Sequence, residues 1–313
     1  MFLRGKAGYF RQSHRSYPKG NTGSSRECAM VGEVWKVGDV KITRIVEIEA
    51  TGGMSRIIPG AKRELVREIK WLQPHFSDEE GRLRGAIHAL VVETPDRRIV
   101  VDTCVGNDKE RDVAPWNKLQ TSFLKDLEGV GYPRDSIDNV MCTHLHVDHV
   151  GWNTMLVDGK WVPTFENARY LYGEVEFNHW KTHDRRGLDQ LMTDSILPVF
   201  DAGLVDLVAQ DHQLCPEVKL VPTPGHTPGH ASVLIASNGE SALITGDFLH
   251  HPCQFAHPEW SSAPDSDPAQ AIATRRSMYE QLAGSPTLVI GTHFATPTAG
   301  HLKKDGDSYR LDV

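Results

Sequence analysis

Four apolar runs of this chain each stop at a loop that carries histidine or aspartate. The densest loop is "THLHVDH" at 143–149, with His144, His146, Asp148 and His149 inside six positions. No single helix or strand face can hold all four, because a helix turns about 100° per residue and a strand alternates sides. They converge only if a strand ends at Thr143 and the chain then curls around a shared centre. A metal ion suits this mixture of imidazole and carboxylate. "PTPGHTPGH" with His226 and His230, "TGDF" with Asp247 and "GTHF" with His293 repeat the arrangement. Each loop lies where a strand leaves a sheet, so side chains of distant segments can meet there.

The sequence between these loops supplies the strands and helices. "VWKVGDVKITRIVEI" reads as a hairpin turning at Gly38-Asp39, and "AIHALVVET" and "RIVVDTCVG" read as two further strands. Trp116, Leu119, Phe123 and Leu127 recur at helical spacing before Gly129 and Gly131, which predicts a helix there with Trp116 in the core. "SIDNVMCTH" returns to a strand, and "NARYLYGE" is another that runs into a helix near "EVEFNHWKTH". A second helix is expected near "GLDQLMTDSILPVF". "EVKLVPTPGH", "ASVLIAS" and "SALITGDF" are strands again. Asp267-Pro268 caps a helix reaching about Leu282, and "TLVIGTHF" is a final buried strand. Strands followed by helix thus occur twice, which two sheets packed together with helices outside would accommodate as one domain of residues 31–313.

Charge and cysteine content narrow the function. The formal net charge is −7, but residues 1–30 hold six basic side chains against Glu27 alone, a balance of +5 that leaves −12 on the rest. An acidic body argues against a nucleic-acid partner. No apolar run reaches the ~18 residues of a membrane span. Five cysteines without CxxC spacing read as free thiols in a reducing compartment, hence a cytoplasmic location. Residues 1–30 lack the apolar segment of a secretory signal and are expected to be a flexible basic extension.

In sequence order, His144, His146, Asp148, His149, His226, Asp247 and His293 resemble the ligand set of the metallo-β-lactamase-fold hydrolases. "VVDT" with Asp102 and "PGHTPGH" support the likeness, which runs from about Val34 to the end. Asp102-Thr103-Cys104 stands where the family usually has DTG. "GDFLHHPCQF" and "THFATPTAGHLKKDGDSYRL" look similar to the methyl parathion hydrolase-like branch, and the HLHxDH core and "ILP" helix to acyl-homoserine lactonases. The resemblance implies an α/β fold, the four-layer αββα sandwich of two mixed β-sheets packed face to face with helices outside.

It also implies two divalent ions, Zn²⁺ first, with Mn²⁺, Co²⁺ or Fe²⁺ also compatible. His144, His146 and His226 would form one site, Asp148, His149 and His293 the other, and Asp247 would bridge them. A hydroxide held between the ions would attack a carbonyl carbon or phosphorus. Asp148 and Asp247 are then the catalytic carboxylates, Asp148 steering the hydroxide and protonating the leaving group. The substrate class implied is a small ester, a lactone or an organophosphate or aryl ester. Glutathione-thioester hydrolysis, sulfur dioxygenation and nuclease activity are the alternatives within the fold. Trp152, Phe255, Trp260, Phe294 and His250, near the metal loops, are the expected substrate contacts, since small-molecule sites set a few polar groups in an apolar wall. His230 is expected to serve the loop or to orient a ligand. The expected partners are a small-molecule substrate and a second copy in a homodimer, with neither nucleic acid nor membrane.

Overall fold

The strand Arg84–Glu93 is buried along both faces for nearly its whole length, which places it between two apolar layers. The computed structural model describes residues 32–182 and 188–313, so the expected basic extension 1–30 lies outside the described residues. In chain order the strands are β1 (Val34–Val37), β2 (Val40–Thr51), β3 (Arg84–Glu93), β4 (Arg98–Val101) and β5 (Asn139–Met141). A small hairpin, β6 (Thr154–Val157) and β7 (Lys160–Pro163), follows, and then β8 (Arg169–Gly173) and β9 (Val205–Val208). The second half holds β10 (Gln213–Cys215), β11 (Val218–Pro222), β12 (Ala231–Ser237) and β13 (Glu240–Ile244). It closes with β14 (Leu288–Ile290), β15 (Ala299–Asp305) and β16 (Ser308–Asp312).

Two seven-stranded sheets result, ordered β1-β2-β3-β4-β5-β8-β9 and β10-β11-β12-β13-β14-β15-β16. Both are mixed: β4, β5, β8 and β9 run parallel in the first, as do β13 and β14 in the second. Their facing sides share one core, in which Val40, Ile42, Leu90, Val92 and Met141 meet Val218, Val233, Ile235, Ile244 and Ile290. Each such side chain contributes roughly 1.5–3 kcal/mol on full burial. On the outer face of the first sheet, Phe123 and Leu127 of helix Phe123–Gly129 and Phe177 and Trp180 of helix Glu174–Thr182 pack into a second core. Helix Pro268–Leu282 covers the other sheet with Met278, Tyr279 and Leu282. The layers are helix, sheet, sheet, helix, as the resemblance implies.

The predicted helix through Trp116 and Leu127 is shorter than its periodicity suggests. Ala114–Trp116 forms only a 3₁₀ turn around Pro115, and Lys118 takes a left-handed φ of 52°, which breaks the helix before Phe123. Trp116 and Leu119 reach the same core from this loop, half-buried. The helix expected near "ILP" runs from Leu188–Leu191 through a π-helical turn, Met192–Ile196, into Leu197–Asp201. Among the described residues, no helix is long and apolar enough to cross a membrane.

Candidate metal centre

The site lies at the C-terminal ends of strands. Because β4 and β5 are parallel, Asp102 and the loop 143–149 leave the first sheet side by side. Because β13 and β14 are parallel, Asp247 and His293 leave the second in the same way. The loop after β11 brings His226 between them. The putting-together is tight: His144 Nε2 and His226 Nε2 each stand 2.9 Å from His146 Nδ1, and His149 Nε2 stands 3.3 Å from His293 Nε2. Asp247 lies in the middle, with Oδ2 3.2 Å from His149 Nε2 and 3.5 Å from His226 Nε2, and Oδ1 3.1 Å from His293 Nε2. Asp148 approaches His149 and His293 at 3.8 and 3.7 Å.

The outward ring nitrogens show which way the lone pairs point. His149 Nδ1 meets Asp102 Oδ2 at 2.9 Å, His226 Nδ1 meets Asp265 Oδ1 at 3.0 Å, and His293 Nδ1 meets the Ala86 carbonyl at 3.0 Å. These oxygens accept, so each Nδ1 carries the proton and each Nε2 turns a bare lone pair inward. His144 follows the same rule through Thr143 Oγ1, at 3.1 Å, whose own hydrogen goes to Asp102. His149 Nε2 and His293 Nε2 thus face each other at 3.3 Å, an arrangement that a cation between them would satisfy. Asp247 Oδ1 is buried without a hydrogen-bond donor, a second sign that a cation belongs there. Among the described residues, four donor groups have ligand atoms within 4.8 Å of one another: His144 with His146 and His226, Asp148 with His149 and His293, His144 with His149 and Asp247, and His226 with Asp247 and His250. The residues fit a metal pair.

The electrostatics agree. Burial holds His144, His146 and His226 well below the usual imidazole range, so all three are neutral and ready to donate lone pairs. Burial acts on His149 and His293 in the same sense, but Asp247 and its neighbouring carboxylates outweigh it and raise both. Burial would raise Asp247, yet His293, His149 and His250 hold it well below the carboxylate range. The pocket around Asp247 thus favours positive charge.

The expected substrate contacts divide. His250 joins the cluster, with Nε2 3.1 Å from Asp247 Oδ2 and its ring parallel to that of His293 at 5.8 Å. It is held by Ser262 Oγ, 2.8 Å from Nδ1. Trp260 is half-buried, stacked on His257 at 4.0 Å and seated over Gly60, where a Cβ would come within 2.9 Å of the ring. The other three are core side chains. Trp152 stacks on Phe123 at 5.6 Å and donates its indole N–H to Glu47 at 2.6 Å. Phe255 packs on Tyr279 at 4.8 Å, Phe294 packs on Phe76 at 6.1 Å, and neither has any exposure. Proximity in sequence to a metal loop misleads here, because a strand or turn that presents one residue to the site presents its neighbour to the layer beneath. His230 holds the bridge candidate in place: its Nε2 accepts the Asp247 N–H at 2.7 Å.

Two supporting carboxylates escape the sequence reading. Asp265 sits in "SSAPDSD", which looks like turn sequence, yet it orients His226. Glu47 sits in a strand and accepts the Val105 and Gly106 N–H groups as well as Trp152. Neither carries a local signal, since each acts on a segment far away in the chain.

The family model of the metallo-beta-lactamase superfamily matches residues 82–293. An N-acyl homoserine lactonase of Bacillus sp is 27% identical over 170 residues, which is 50% of this chain and 61% of that protein. N-acyl homoserine lactonase AiiA of Bacillus thuringiensis subsp. kurstaki is 27% identical over 174 residues, 51% of this chain and 63% of that protein. This chain thus spans less than two thirds of the length of either relative. Among solved structures, AidC, a dizinc quorum-quenching lactonase with a bound product, superposes with a TM-score of 0.73 at 22% identity, over 90% of this chain and 96% of that one. The hydrolase AbOPH superposes with a TM-score of 0.74 at 24% identity over the same shares. With the strand-end ligand loops and the four layers in place, the chain belongs to the metallo-beta-lactamase superfamily.

Proposed function

We propose that this protein is a metal-dependent hydrolase of small ester-type substrates, with lactones as the leading class. The observation that carries the reading is the convergence of five histidines and two aspartates, with inward lone pairs, around Asp247. His144, His146 and His226 would hold one ion, Asp148, His149 and His293 the second, and Asp247 would reach both. Ions held there supply a water of lowered pKa and polarise the oxygen of the electrophile. The chain's own groups do the rest. Asp148, less buried than His144, His149, His226 and His293, would take the proton released by the attacking water and pass it to the leaving oxygen. His250, beside Asp247, contacts the substrate, and half-buried Trp260 is a second contact.

Lactones lead because relatives that match half of the chain include N-acyl homoserine lactonases. Organophosphate and aryl esters are the second class, as the sequence likeness implies. Cys104, Cys142, Cys215 and Cys253 are free thiols, which supports a reducing, cytoplasmic setting. A homodimer is the proposed assembly, and a monomer mass by light scattering would overturn it. The deciding experiment measures hydrolysis of lactones, aryl esters and phosphotriesters by the metal-replete protein, with His146→Ala as control. Lactone opening far above the rest and absent in the variant supports the reading. Dominant phosphotriester or aryl-ester turnover moves the protein to the second class. No turnover on any ester with two ions bound would refute the hydrolase assignment.

A further inference from the structure

Glu176 lies in the first turn of helix Glu174–Thr182, directly after β8, with only 1% of its surface exposed. A carboxylate this deep is costly unless every lone pair finds a donor. Its Oε1 accepts the Leu145 N–H at 3.1 Å and the Trp180 indole N–H at 2.5 Å, and its Oε2 accepts the Gly229 N–H at 3.0 Å. Leu145 stands between His144 and His146, and Gly229 lies in the loop that carries His226. One side chain therefore ties together the two loops that supply all three members of one donor group. Trp180, one turn further along the helix, also sets its ring against His146 at 5.3 Å.

The fit is close enough to dictate its neighbours. A Cβ on Gly229 would fall 2.2 Å from the Glu176 backbone nitrogen, so only glycine lets the loop come near enough to donate. The other donor group has a different support. Asp102 accepts the Thr143 N–H at 2.8 Å, the Thr143 hydroxyl at 2.9 Å and His149 Nδ1 at 2.9 Å. Asp265 orients His226 but bonds to neither His144 nor His146.

We propose that Glu176 is a positioning residue for one half of the centre: it sets the spacing of His144, His146 and His226, and occupancy of that ion site depends on it. The inference rests on the metal-centre reading above. Replacing the carboxylate by an amide leaves one end an NH₂ facing a backbone N–H, so either the Leu145 or the Gly229 anchor is lost while size and helix are kept. Asp148, His149 and His293 have no part in those two anchors.

The test titrates chelator-stripped wild type and Glu176→Gln with Zn²⁺ against a competing chromophoric chelator, and with Co²⁺ followed by visible absorption. Elemental analysis gives the stoichiometry, and circular dichroism of the stripped proteins checks the fold. Wild type is expected to bind two ions. Glu176→Gln is expected to keep one at wild-type affinity and to lose about 10–100-fold at the other, the range typical of residues that orient ligands. Two ions bound as tightly as in wild type, or both weakened alike, would overturn the proposal. Wild type binding no ion would overturn the metal-centre reading and the proposal with it. Should Glu176→Gln fail to fold, Trp180→Phe removes one of the three donors and keeps the carboxylate. A smaller loss confined to one ion is then expected, and an equal loss at both, or none, overturns the idea.

Discussion

Asp102 accepts three hydrogen bonds from a left-handed backbone, at φ 56°, and Cys104 two residues on sits at φ 55°. Aspartate tolerates that region better than most residues, and paired outliers of this kind concentrate where a loop is held for function. Asp102→Ala removes all three hydrogen bonds and the orientation of His149. It is expected to weaken metal binding about 10–100-fold in a chelator competition, and an unchanged affinity would remove the orienting role. Phe255 makes the opposite case. Cut to alanine, it is expected to cost about 3–5 kcal/mol of stability in denaturant unfolding, with KM unchanged while the protein is folded. A raised KM with normal stability would return Phe255 to the pocket wall. Residue type set the proposed ligands apart from the core, because histidine and aspartate have few reasons to end an apolar strand. It could not sort Trp152, Phe255 and Phe294, because an aromatic serves a core and a pocket equally well.

At the level of elements, the loop after β4 is locked to the π-helical turn Met192–Ile196 by Lys109 and Arg111. Lys109 Nζ donates to Thr154 Oγ1 and to the Asp194 carbonyl, both at 2.8 Å, and Arg111 pairs with the Asp194 carboxylate at 2.7 Å. Burial lowers the Lys109 pKa to about 7 against the attraction of Asp194, from 10.5 for an ordinary lysine. Between those two values the unfolded chain holds a proton that the folded chain has released, so this residue makes stability rise with pH across that window. Below about pH 7 both states are protonated and the burial cost is felt in full. Lys109→Met should abolish this slope. Urea unfolding of both proteins at pH 7 and pH 9 reads it: a wild-type gain no larger than the variant's would show that Lys109 keeps an ordinary pKa. The hairpin β6–β7 turns at Asp158-Gly159, with φ 49° and 75°, and the Asp-Gly pair is a local turn signal that the expected strands and helices had left out. The π-turn has no such signal, since it arises from how a helix meets the loop that Lys109 anchors.

For the whole molecule, the loops of the proposed metal pair leave strand ends in both sheets, so loss of bound ions should be felt globally. Stripping the ions is expected to lower the thermal midpoint, and readdition of Zn²⁺ to restore it. An ion at 100 times its Kd stabilises by about 2.7 kcal/mol per site. A midpoint indifferent to chelation would mean that the loops hold their shape unaided. Folding brings Trp152 to Glu47 across 105 positions, Leu145 to Glu176 across 31 and Gly229 to Glu176 across 53. The identity and order of the proposed ligands, and the strands that end in them, were determined by the sequence alone, because donor chemistry and strand periodicity are local properties. The tertiary structure alone decided which aromatics are core and which carboxylate steadies which loop. Those outcomes depend on which distant backbone groups packing leaves in need of a partner.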